Sequence, residues 1–502
     1  MRNKMPSFYK IAESVGYNYS LVNYLKALLD WDSITLMPAE GAELRAQSLK
    51  FLTQQQKKIL NNKKLDSLFN KAEINQLNAW QASNFNLIKK QYDLSKAIPS
   101  SVRIKHDKKT AQCTSAWNEA KRKKSYSVVA NAFQSVIHVT REIARYRGDF
   151  FKCSPFFSLT FPYDNTFSEQ EIDSMMKTYQ RFFVDYHVAK KLSQHKQPIS
   201  DADFLSSFSA GSQHQLYKKL SELFGFSKDE LVVTEGSHPF CVDMPSDIRI
   251  AMKYDSNNIM NTLSYFMHEL GHALYRKHLP IDWRMQPVGF TCSPIIDEAV
   301  ALIFEQYVKQ TPEFIDELTL LLRSYSNTPL NIAPNQITSL MNNDFLQLSS
   351  IRINSGELAY LAHTVVRYQI ERKIIEGEIN AKDIPDAFQG LMRSVFQDTI
   401  SYHETDLLQD MHWFTGWWGY YPIYFLGKVT AFQLNQSCKV VSPQLSTGLA
   451  DRWVWLIEHV FAKGSLYTTS ELIQRTSSSP LNFERYIDHL KEKLETVLID
   501  NT

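Results

Sequence analysis

The scarcity of helix breakers most constrains how this chain can fold. Its 502 residues include only 16 glycines and 18 prolines, and apolar residues recur at three- and four-residue spacing over long stretches. The clearest helical segments are Leu21–Leu29, Val128–Tyr146, Asn258–His278 and Ile351–Ile375. Strand signals are few, and the best is Ile248–Met252, which alternates apolar and polar residues briefly after a turn-rich stretch.

These patterns predict a mostly α-helical fold. Hydrophobic residues make up 44% of the chain, which is enough for a large core. No linker rich in glycine, serine or proline divides the sequence. We therefore expect one large domain spanning residues 1–502, with two lobes around a groove and a small β element next to helix Asn258–His278.

The charge balance and the cysteines limit the compartment and the partners. With 55 basic and 53 acidic side chains, the net charge of +2 gives no reason to expect nucleic acid or a membrane surface as the main partner.

The five cysteines are far apart and form no Cys-x-x-Cys pair, which argues against a disulfide framework and a thiolate metal site. The first 20 residues lack the apolar core of a signal peptide, and no apolar run is long enough to span a membrane. We expect a cytoplasmic protein.

The sequence His-Glu-Leu-Gly-His at residues 268–272 carries the strongest chemical signal. His268 and His272 are four residues apart, so on a helix they share one face and can each offer a nitrogen to one metal ion. Glu269 lies about 100° around the helix, where it can reach a metal-bound water. Gly271 is costly inside a helix, and a close backbone approach would explain it. The alternative is a helix with two satisfied histidines and a surface glutamate.

A catalytic zinc needs a third protein ligand and an open position. The best candidate is Glu298, 26 residues after His272 (298 − 272). Ser293 and Pro294 are a typical helix start, and Glu298 follows among apolar residues, where a carboxylate is costly unless it is paired or metal-bound. From spacing alone a second interpretation stays open, in which Glu298 faces water and Asp297 only complements the helix dipole.

Beyond this motif, the chain resembles the carboxypeptidase Taq family of zinc metallocarboxypeptidases over nearly its whole length and in the expected order. The matching segments are Trp31-Asp32, Met37-Pro38, Gly41, Arg45, Gln47, His238-Pro239-Phe240, Asp247-Ile248-Arg249, Ile351-Arg352, Gln409-Asp410-Met411-His412-Trp413, Gly419-Tyr420-Tyr421-Pro422, Trp455 and Gly464.

The resemblance implies a mostly helical fold with a long, deep groove, a homodimer, and release of single residues from the C-termini of short or unfolded peptides. It also implies one zinc ion per chain, held by His268, His272 and Glu298. Cobalt or manganese could substitute in that ligand set. In the implied reaction the zinc-bound water attacks the peptide carbonyl, and Glu269 acts as the general base and then protonates the leaving amine.

Such an enzyme must also bind the terminal carboxylate and the oxyanion. The guanidinium groups of Arg352 and Arg249 are the candidates for the carboxylate, because each can donate two parallel hydrogen bonds, and similarity favours Arg352. Tyr420, His238 and His412 are the candidate donors to the oxyanion, and His412 is also a candidate substrate-binding residue. The alternatives are structural salt bridges for the arginines and ordinary aromatic core for Tyr420.

Several family motifs are altered, which leaves the substrate assignment open. The family's His-Glu-Ser-Gln reads Asp297-Glu298-Ala299-Val300, so we expect the polar neighbours of the third ligand to be lost. The departures at other motifs are Ala251 for Thr, Ser355-Gly356 for Ala-Asp, and Asp406 for Gly. Two further hypotheses therefore remain: a zinc oligopeptidase that cuts internal bonds, and a peptide-binding homologue with weakened catalysis.

Overall fold

The computed structural model describes residues 6–62, 64–194, 202–242, 244, 246–441 and 449–500. In this part of the chain most residues are helical and one small sheet is present, which confirms the predicted mostly α-helical fold with a small β element. The helices are α1 Ser7–Thr35, α2 Ala42–Leu60, α3 Lys64–Lys71, α4 Ala79–Lys96, α5 Ser100–Lys123, α6 Ser127–Phe151, α7 Pro155–Ser158, α8 Glu169–Asp185, α9 Val188–Gln194, α10 Ala202–Leu205, α11 Ala210–Leu223, α12 Ile259–Lys277, α13 Pro294–Leu302, α14 Pro312–Tyr325, α15 Pro334–Leu346, α16 Glu357–Glu376, α17 Ile384–Phe396, α18 Met411–Phe414, α19 Tyr421–Val441, α20 Leu449–His459, α21 Thr469–Ser477 and α22 Phe483–Asp500.

The chain forms two compact units, each assembled from separate stretches of sequence. The first unit comprises the described residues within Met1–Ser95, Ile199–Met341 and Gly427–Leu481. The second unit comprises those within Lys96–Pro198, Asn342–Leu426 and Asn482–Thr502. The single peptidase domain over residues 1–502 stays a prediction.

The first unit holds a three-stranded sheet beside helix α12. Strand β3 (Ile248–Met252) is central, runs parallel to β1 (Leu231–Glu235) and pairs antiparallel with β2 (Phe240–Cys241). Strand β3 has the predicted bounds, and it packs against α12 as expected. Strand β1 was not predicted from the sequence, although its burial alternates along Leu-Val-Val-Thr-Glu as a half-buried strand requires.

Helices α12 and α13 begin as the sequence predicts and pack closely. The side chain of Asn258 accepts hydrogen bonds from the N–H groups of Met260 and Asn261 and so starts α12. A Cβ atom on Gly271 would lie 2.8 Å from Cα of Ala301 in α13. The close backbone approach expected at Gly271 is therefore present, and it brings the two helices of the His-Glu-x-x-His region together.

Helix α16 of the second unit starts later than predicted. The expected helix Ile351–Ile375 is wrong at its N-terminal end, because Arg352–Asn354 form a short 3-10 turn and Gly356 is the N-cap of α16. Ser355 is extended there, and its hydroxyl donates to backbone carbonyl groups of this loop. Such local side-chain hydrogen bonds compete with helix formation. Arg352 therefore lies in a loop before the helix.

Among the residues that the structure describes, one segment has the length and apolar composition of a membrane span. It is Pro287–Val308, and 61% of its most apolar window is buried inside the protein. Core helices of globular proteins have the same composition and the same burial. All five cysteines lie in the described part of the chain, and none of them forms a disulfide bond there.

Candidate metal centre

The two histidines of α12 and the glutamate of α13 converge on one point in the first unit. One ligand atom from each of His268, His272 and Glu298 lies within 4.8 Å of the others, and Nε2 of His268 is 3.8 Å from Oε2 of Glu298. Bonds of about 2.0–2.2 Å to a single tetrahedral ion bring its ligand atoms to about 3–4 Å from one another. The donor set therefore fits a divalent metal ion, as the sequence predicts.

A second carboxylate lies behind His268. Glu305 belongs to a π-helical turn, Ile303–Val308, that continues α13, and its Oε2 is 2.9 Å from Nδ1 of His268. Burial alone would lower the pKa of His268, but the hydrogen bond with Glu305 and the nearby carboxylates raise it to about 9. Burial alone would raise the pKa of Glu305, yet its contact with His268 lowers it to about 2. Nδ1 of His268 thus donates to Glu305, and Nε2 faces Glu298.

His272 has a matching carboxylate, which corrects one expectation. Nδ1 of His272 is 3.0 Å from Oδ1 of Asp297. Burial by itself raises the pKa of Asp297, but Arg276 and His272 outweigh it and hold that pKa below its usual range. Of the three altered neighbours of the third ligand, Ala299 and Val300 are buried apolar residues, whereas Asp297 supplies a polar contact. The expected loss of all polar neighbours is therefore wrong at Asp297.

The third ligand candidate depends on a glycine for its space. A Cβ atom on Gly427 would lie 3.0 Å from Cβ of Glu298, so a side chain there would crowd the base of the Glu298 side chain. Burial raises the pKa of Glu298, against the opposing charges of His268 and His272. A metal ion bound to Glu298 would compensate for the hydration that its carboxylate loses on burial.

Glu269 and His238 complete the group in the first unit. Glu269 is 8% exposed, and its charge acts on the pKa values of His268, Glu298 and His238, so its carboxylate lies near all three. His238 is an exposed residue, but neighbouring atoms still desolvate its imidazole and lower its pKa, while the charge of Glu269 acts to raise it. A carboxylate beside the predicted metal site and an imidazole close to that carboxylate are thus both present.

Arg249, also in the first unit, is already paired. Its Nε and Nη2 donate to the two carboxylate oxygens of Asp247 at 2.6 and 3.2 Å. The guanidinium carbon lies 5.0 Å from the ring of Trp31, and Tyr24 donates to Asp247 as well. These contacts favour the structural interpretation that the sequence left open for Arg249.

Arg352, in the second unit, has a different environment. It is only 6% exposed, and Nη1 donates to the hydroxyl of Tyr360 at 2.6 Å. Its guanidinium carbon lies 5.0, 5.8 and 5.1 Å from the rings of Tyr360, Tyr421 and Tyr424. Nε has no hydrogen-bond partner, and among the described residues no carboxylate is within ion-pair distance of this side chain. We call Arg352 with these three tyrosines the arginine cluster.

His412 and Tyr420 adjoin the arginine cluster within the second unit. Nε2 of His412 is 3.1 Å from the hydroxyl of Tyr424, and the ring of Tyr420 lies 4.9 Å from that of Tyr424. Behind them Asp410 accepts a hydrogen bond from Nε of Arg367 at 2.6 Å, with both side chains fully buried. Tyr424 therefore brings three predicted residues, Arg352, His412 and Tyr420, into one group.

The remaining altered motif positions have local structural roles. Ala251 is fully buried on the central strand. The hydroxyl of Ser355 donates to the carbonyl of Ile351 in the loop that carries Arg352. Asp406 accepts a hydrogen bond from the N–H of His403 and so caps a short turn. Neither of these two hydrogen bonds involves a metal ligand candidate.

Sequence reasoning missed three residues of the metal centre, and two of them had a signal. Glu305 follows Glu298 by seven residues, which is two helical turns, and Arg276 follows His272 by one turn. Each could have been found by asking which polar residues share a helix face with a ligand. Gly427 is distant in sequence and had no such signal.

The comparisons with known proteins identify the family of this chain. Residues 12–494 match the model of the Carboxypeptidase Taq (M32) metallopeptidase family. Carboxypeptidase 1 of Bacillus subtilis is 24% identical over 489 residues, covering 94% of this chain and 95% of that protein. The solved structure of a Pyrococcus furiosus carboxypeptidase has a TM-score of 0.89 at 22% identity, covering 98% of this chain and 99% of that one.

Metallocarboxypeptidase 1 of Trypanosoma cruzi gives a TM-score of 0.87 at 24% identity, covering 97% of this chain and 99% of that one. At such identities the structural likeness establishes a shared fold, while the family match covers nearly the whole sequence. The chain therefore belongs to the carboxypeptidase Taq (M32) metallopeptidase family and is a metal-dependent carboxypeptidase that hydrolyses peptide bonds.

Proposed function

We propose that this chain is a zinc-dependent carboxypeptidase that releases single C-terminal amino acids from short or unfolded peptides. The observation that carries this proposal is the convergence of His268, His272 and Glu298. Two imidazoles and one carboxylate, with a position left for water, are a typical catalytic zinc set, and one ion per chain would be bound. Cobalt or manganese could substitute in the same donors.

Glu269 has the position and the chemistry of a general base. When bound, the zinc ion would polarise the scissile carbonyl and lower the pKa of a water molecule. The carboxylate of Glu269 accepts the proton from the attacking water and passes it to the nitrogen of the leaving amino acid. Its burial beside His268 and Glu298 supports this role, because the proton is then exchanged away from bulk solvent.

Arg352 is our proposed binding group for the terminal carboxylate. A buried guanidinium without a carboxylate partner is suited to a ligand that brings one, and its planar donors match a carboxylate in pairs. Arg249 is the weaker candidate because Asp247 already occupies its donors. We further propose that Tyr420 and His238 donate hydrogen bonds to the oxyanion and that His412 contacts the substrate.

The setting of the enzyme is proposed from composition and from the family resemblance. An even charge balance and separate cysteines support a cytoplasmic protein that acts on peptides and does not bind nucleic acid or membranes. A homodimer is the expected assembly. Analytical ultracentrifugation measures the mass of the assembly in solution and so tests this expectation.

Release of the last residue from an N-terminally blocked dipeptide tests the proposal. We expect zinc-dependent release by the natural protein and a loss of about 10²- to 10⁴-fold in Glu269→Gln, because the general base is removed. Glu313→Gln is the matched control, since Glu313 is an exposed glutamate in the first turn of α14. An unchanged rate in Glu269→Gln would contradict the mechanism.

Peptides with an amidated C-terminus separate the alternatives. An obligate carboxypeptidase fails on them, whereas an oligopeptidase with the same zinc chemistry cuts their internal bonds. The third possibility, a peptide-binding homologue with weakened catalysis, is motivated by the apolar Ala299 and Val300 beside the third ligand. It requires zinc and peptide binding without turnover across a broad panel, so robust hydrolysis excludes it.

A further inference from the structure

Two side chains behind the metal centre, Asp297 and Arg276, have no role in the function proposed above. His272 and Arg276 are one turn apart on α12, and Asp297 faces them both from α13. This group lies within the first unit and is largely enclosed by protein, with the side chain of Arg276 only 3% exposed. Buried charged groups of this kind are costly unless each has a partner, so their geometry shows what they do.

The contact between Asp297 and His272 fixes how the imidazole is used. Oδ1 of Asp297 is 3.0 Å from Nδ1 of His272. A neutral imidazole carries one N–H, and a carboxylate at this distance holds that N–H on Nδ1. Nε2 is then the nitrogen with a free electron pair, and it is the one available to a metal ion. Asp297 thus selects the tautomer and the ring orientation of His272.

Arg276 in turn fixes Asp297. Its Nη1 donates to Oδ1 of Asp297 at 2.5 Å and its Nη2 donates to Oδ2 at 2.7 Å, which is a bidentate pair. Nη1 also lies 3.1 Å from the carbonyl oxygen of His272 and donates to it. The guanidinium therefore holds both oxygens of Asp297 and is anchored to the same helix as the histidine.

This arrangement explains why only one of two consecutive acidic residues points at the metal site. Asp297 and Glu298 are neighbours in sequence, and either carboxylate could serve as a metal ligand in chemical terms. Both oxygens of Asp297 are occupied by Arg276, whereas Glu298 approaches Nε2 of His268. Arg276 keeps Asp297 from competing with Glu298.

His268 provides a comparison within the same centre. Its Nδ1 contacts Oε2 of Glu305 at 2.9 Å, so each imidazole has its own carboxylate. The family's third-ligand motif has His where this chain has Asp297, so the support of His272 is a feature of this chain's own sequence. It does not follow from the motif by which the family is recognised.

We propose that Asp297 and Arg276 are positioning residues that orient Nε2 of His272 toward the metal and set the metal affinity of the centre. The proposal rests on the metal centre of the proposed function but not on its substrate. Removing a carboxylate that orients a metal-bound histidine typically weakens metal binding by about 10- to 100-fold. Because the two residues share one bidentate contact, we expect their effects on metal binding to depend on each other.

Competition for zinc against a chromophoric chelator at fixed pH tests the proposal. We expect Asp297→Asn to bind zinc about 10- to 100-fold more weakly than the natural protein. Arg276→Gln should also bind more weakly, and the double variant should lose less than the product of the two single losses because the residues share one contact. Glu313→Gln, at an exposed first-turn acid of α14, should bind zinc as the natural protein does.

Cobalt binding gives a second readout that is independent of turnover. The visible absorption of bound cobalt reports ligand number and geometry, and we expect it to change in Arg276→Gln, where Asp297 is released. If Asp297→Asn does not fold, Arg276→Lys decides, because lysine keeps the charge but cannot hold both oxygens. It should weaken zinc binding several-fold.

Zinc affinity within twofold of the natural protein in folded Asp297→Asn or Arg276→Lys would overturn the proposal. A failure of the proposed function looks different. In that case the natural protein would bind zinc tightly and still release no amino acid, while the affinities of the variants would keep the expected order.

Discussion

The metal centre of the first unit and the arginine cluster of the second unit both enclose charged side chains, but they balance those charges differently. In the metal centre each imidazole has a carboxylate, and Asp297 has an arginine. In the arginine cluster Arg352 has phenol rings around it and no carboxylate within ion-pair distance among the described residues. In the metal centre the described charged groups are paired with one another, whereas in the arginine cluster the nearby carboxylate of Asp410 is paired with Arg367.

The difference indicates which kind of ligand each region suits. Carboxylate-backed imidazoles with a free Nε2 are donors for a cation. A cation held against aromatic faces gains about 0.5–2 kcal/mol from each good contact, which is less than a buried charge loses on leaving water. An incoming carboxylate supplies the remainder. This contrast supports our proposal that the first region binds a metal ion and the second binds the carboxylate end of a peptide.

Replacing the two arginines gives the largest expected effect on this comparison. Arg352→Met removes the proposed partner of the substrate carboxylate, and losing one member of such a buried pair costs about 2–5 kcal/mol. That is about 30-fold to several thousand-fold in kcat/KM, mainly through KM. Arg249→Met should change kcat/KM at most several-fold, because Arg249 is paired with Asp247.

Initial rates on a series of blocked dipeptides measure both variants. Arg393→Met serves as a control, since the side chain of Arg393 is 64% exposed. If Arg249→Met proved the more damaging of the two, the paired arginine would be the substrate anchor and the comparison would be reversed.

Two helical glycines, one in each unit, compare how tightly the helices pack in the two units. Gly271→Ala should destabilise the protein by about 1–3 kcal/mol, because the new Cβ atom would lie 2.8 Å from Cα of Ala301. Gly390→Ala in α17 has nothing within 4 Å of the new atom. It should stabilise by about 0.5–1 kcal/mol, since alanine is the better helix former.

Urea unfolding midpoints of the two glycine variants provide the measurement. The test is whether the midpoint falls in Gly271→Ala and rises in Gly390→Ala. A neutral Gly271→Ala would show that α12 and α13 are free to separate, and the close packing at the metal helix would then not be required.

The pH dependence of stability contrasts two glutamates, Glu371 in the second unit and Glu305 in the first. Burial raises the pKa of Glu371 to about 8 from a usual 4.5, although Trp413 and Gly419 donate to it. The folded state then holds one proton more than the unfolded state between these values. Its stabilising contribution is complete below pH 4.5 and is lost as pH rises toward 8, by at most about 1.4 kcal/mol per pH unit.

Glu371→Gln should flatten this slope, because glutamine does not titrate. Unfolding midpoints measured at several pH values between 5 and 8 compare the variant with the natural protein. Glu305 shows the opposite behaviour, since its contact with His268 lowers its pKa. Equal slopes for the natural protein and Glu371→Gln would show that Glu371 is ionised in the folded state.

Much of the fold was visible in the sequence because its signals are local. Helix α12 begins within one residue of the predicted start at Asn258, and β3 has the predicted bounds. Strand β1 was missed because its partner β3 is not adjacent in sequence. Parallel strands also often lack the alternation of apolar and polar residues that marks a strand in the sequence. The start of α16 was misplaced because the apolar periodicity continued through Ser355, whose hydroxyl bonds to the backbone instead.

The three candidate ligands of the metal centre were predictable from the sequence. Helix spacing pointed to His268 and His272, and the family resemblance added Glu298, but Asp297 was expected to leave Glu298 without polar support. Its role depends on Arg276 approaching from another helix. Such a contact is set by tertiary packing, which the sequence does not display. The environment of Arg352 likewise depends on rings brought from distant positions.

Zinc titration of the metal-free protein tests the central claim most directly. The claim is that His268, His272 and Glu298 jointly hold one ion. We expect one tightly bound zinc per chain in the natural protein and loss of that site in each of His268→Ala, His272→Ala and Glu298→Ala, with the fold retained by circular dichroism. Tight binding of one zinc by Glu298→Ala, at the affinity of the natural protein, would contradict the account.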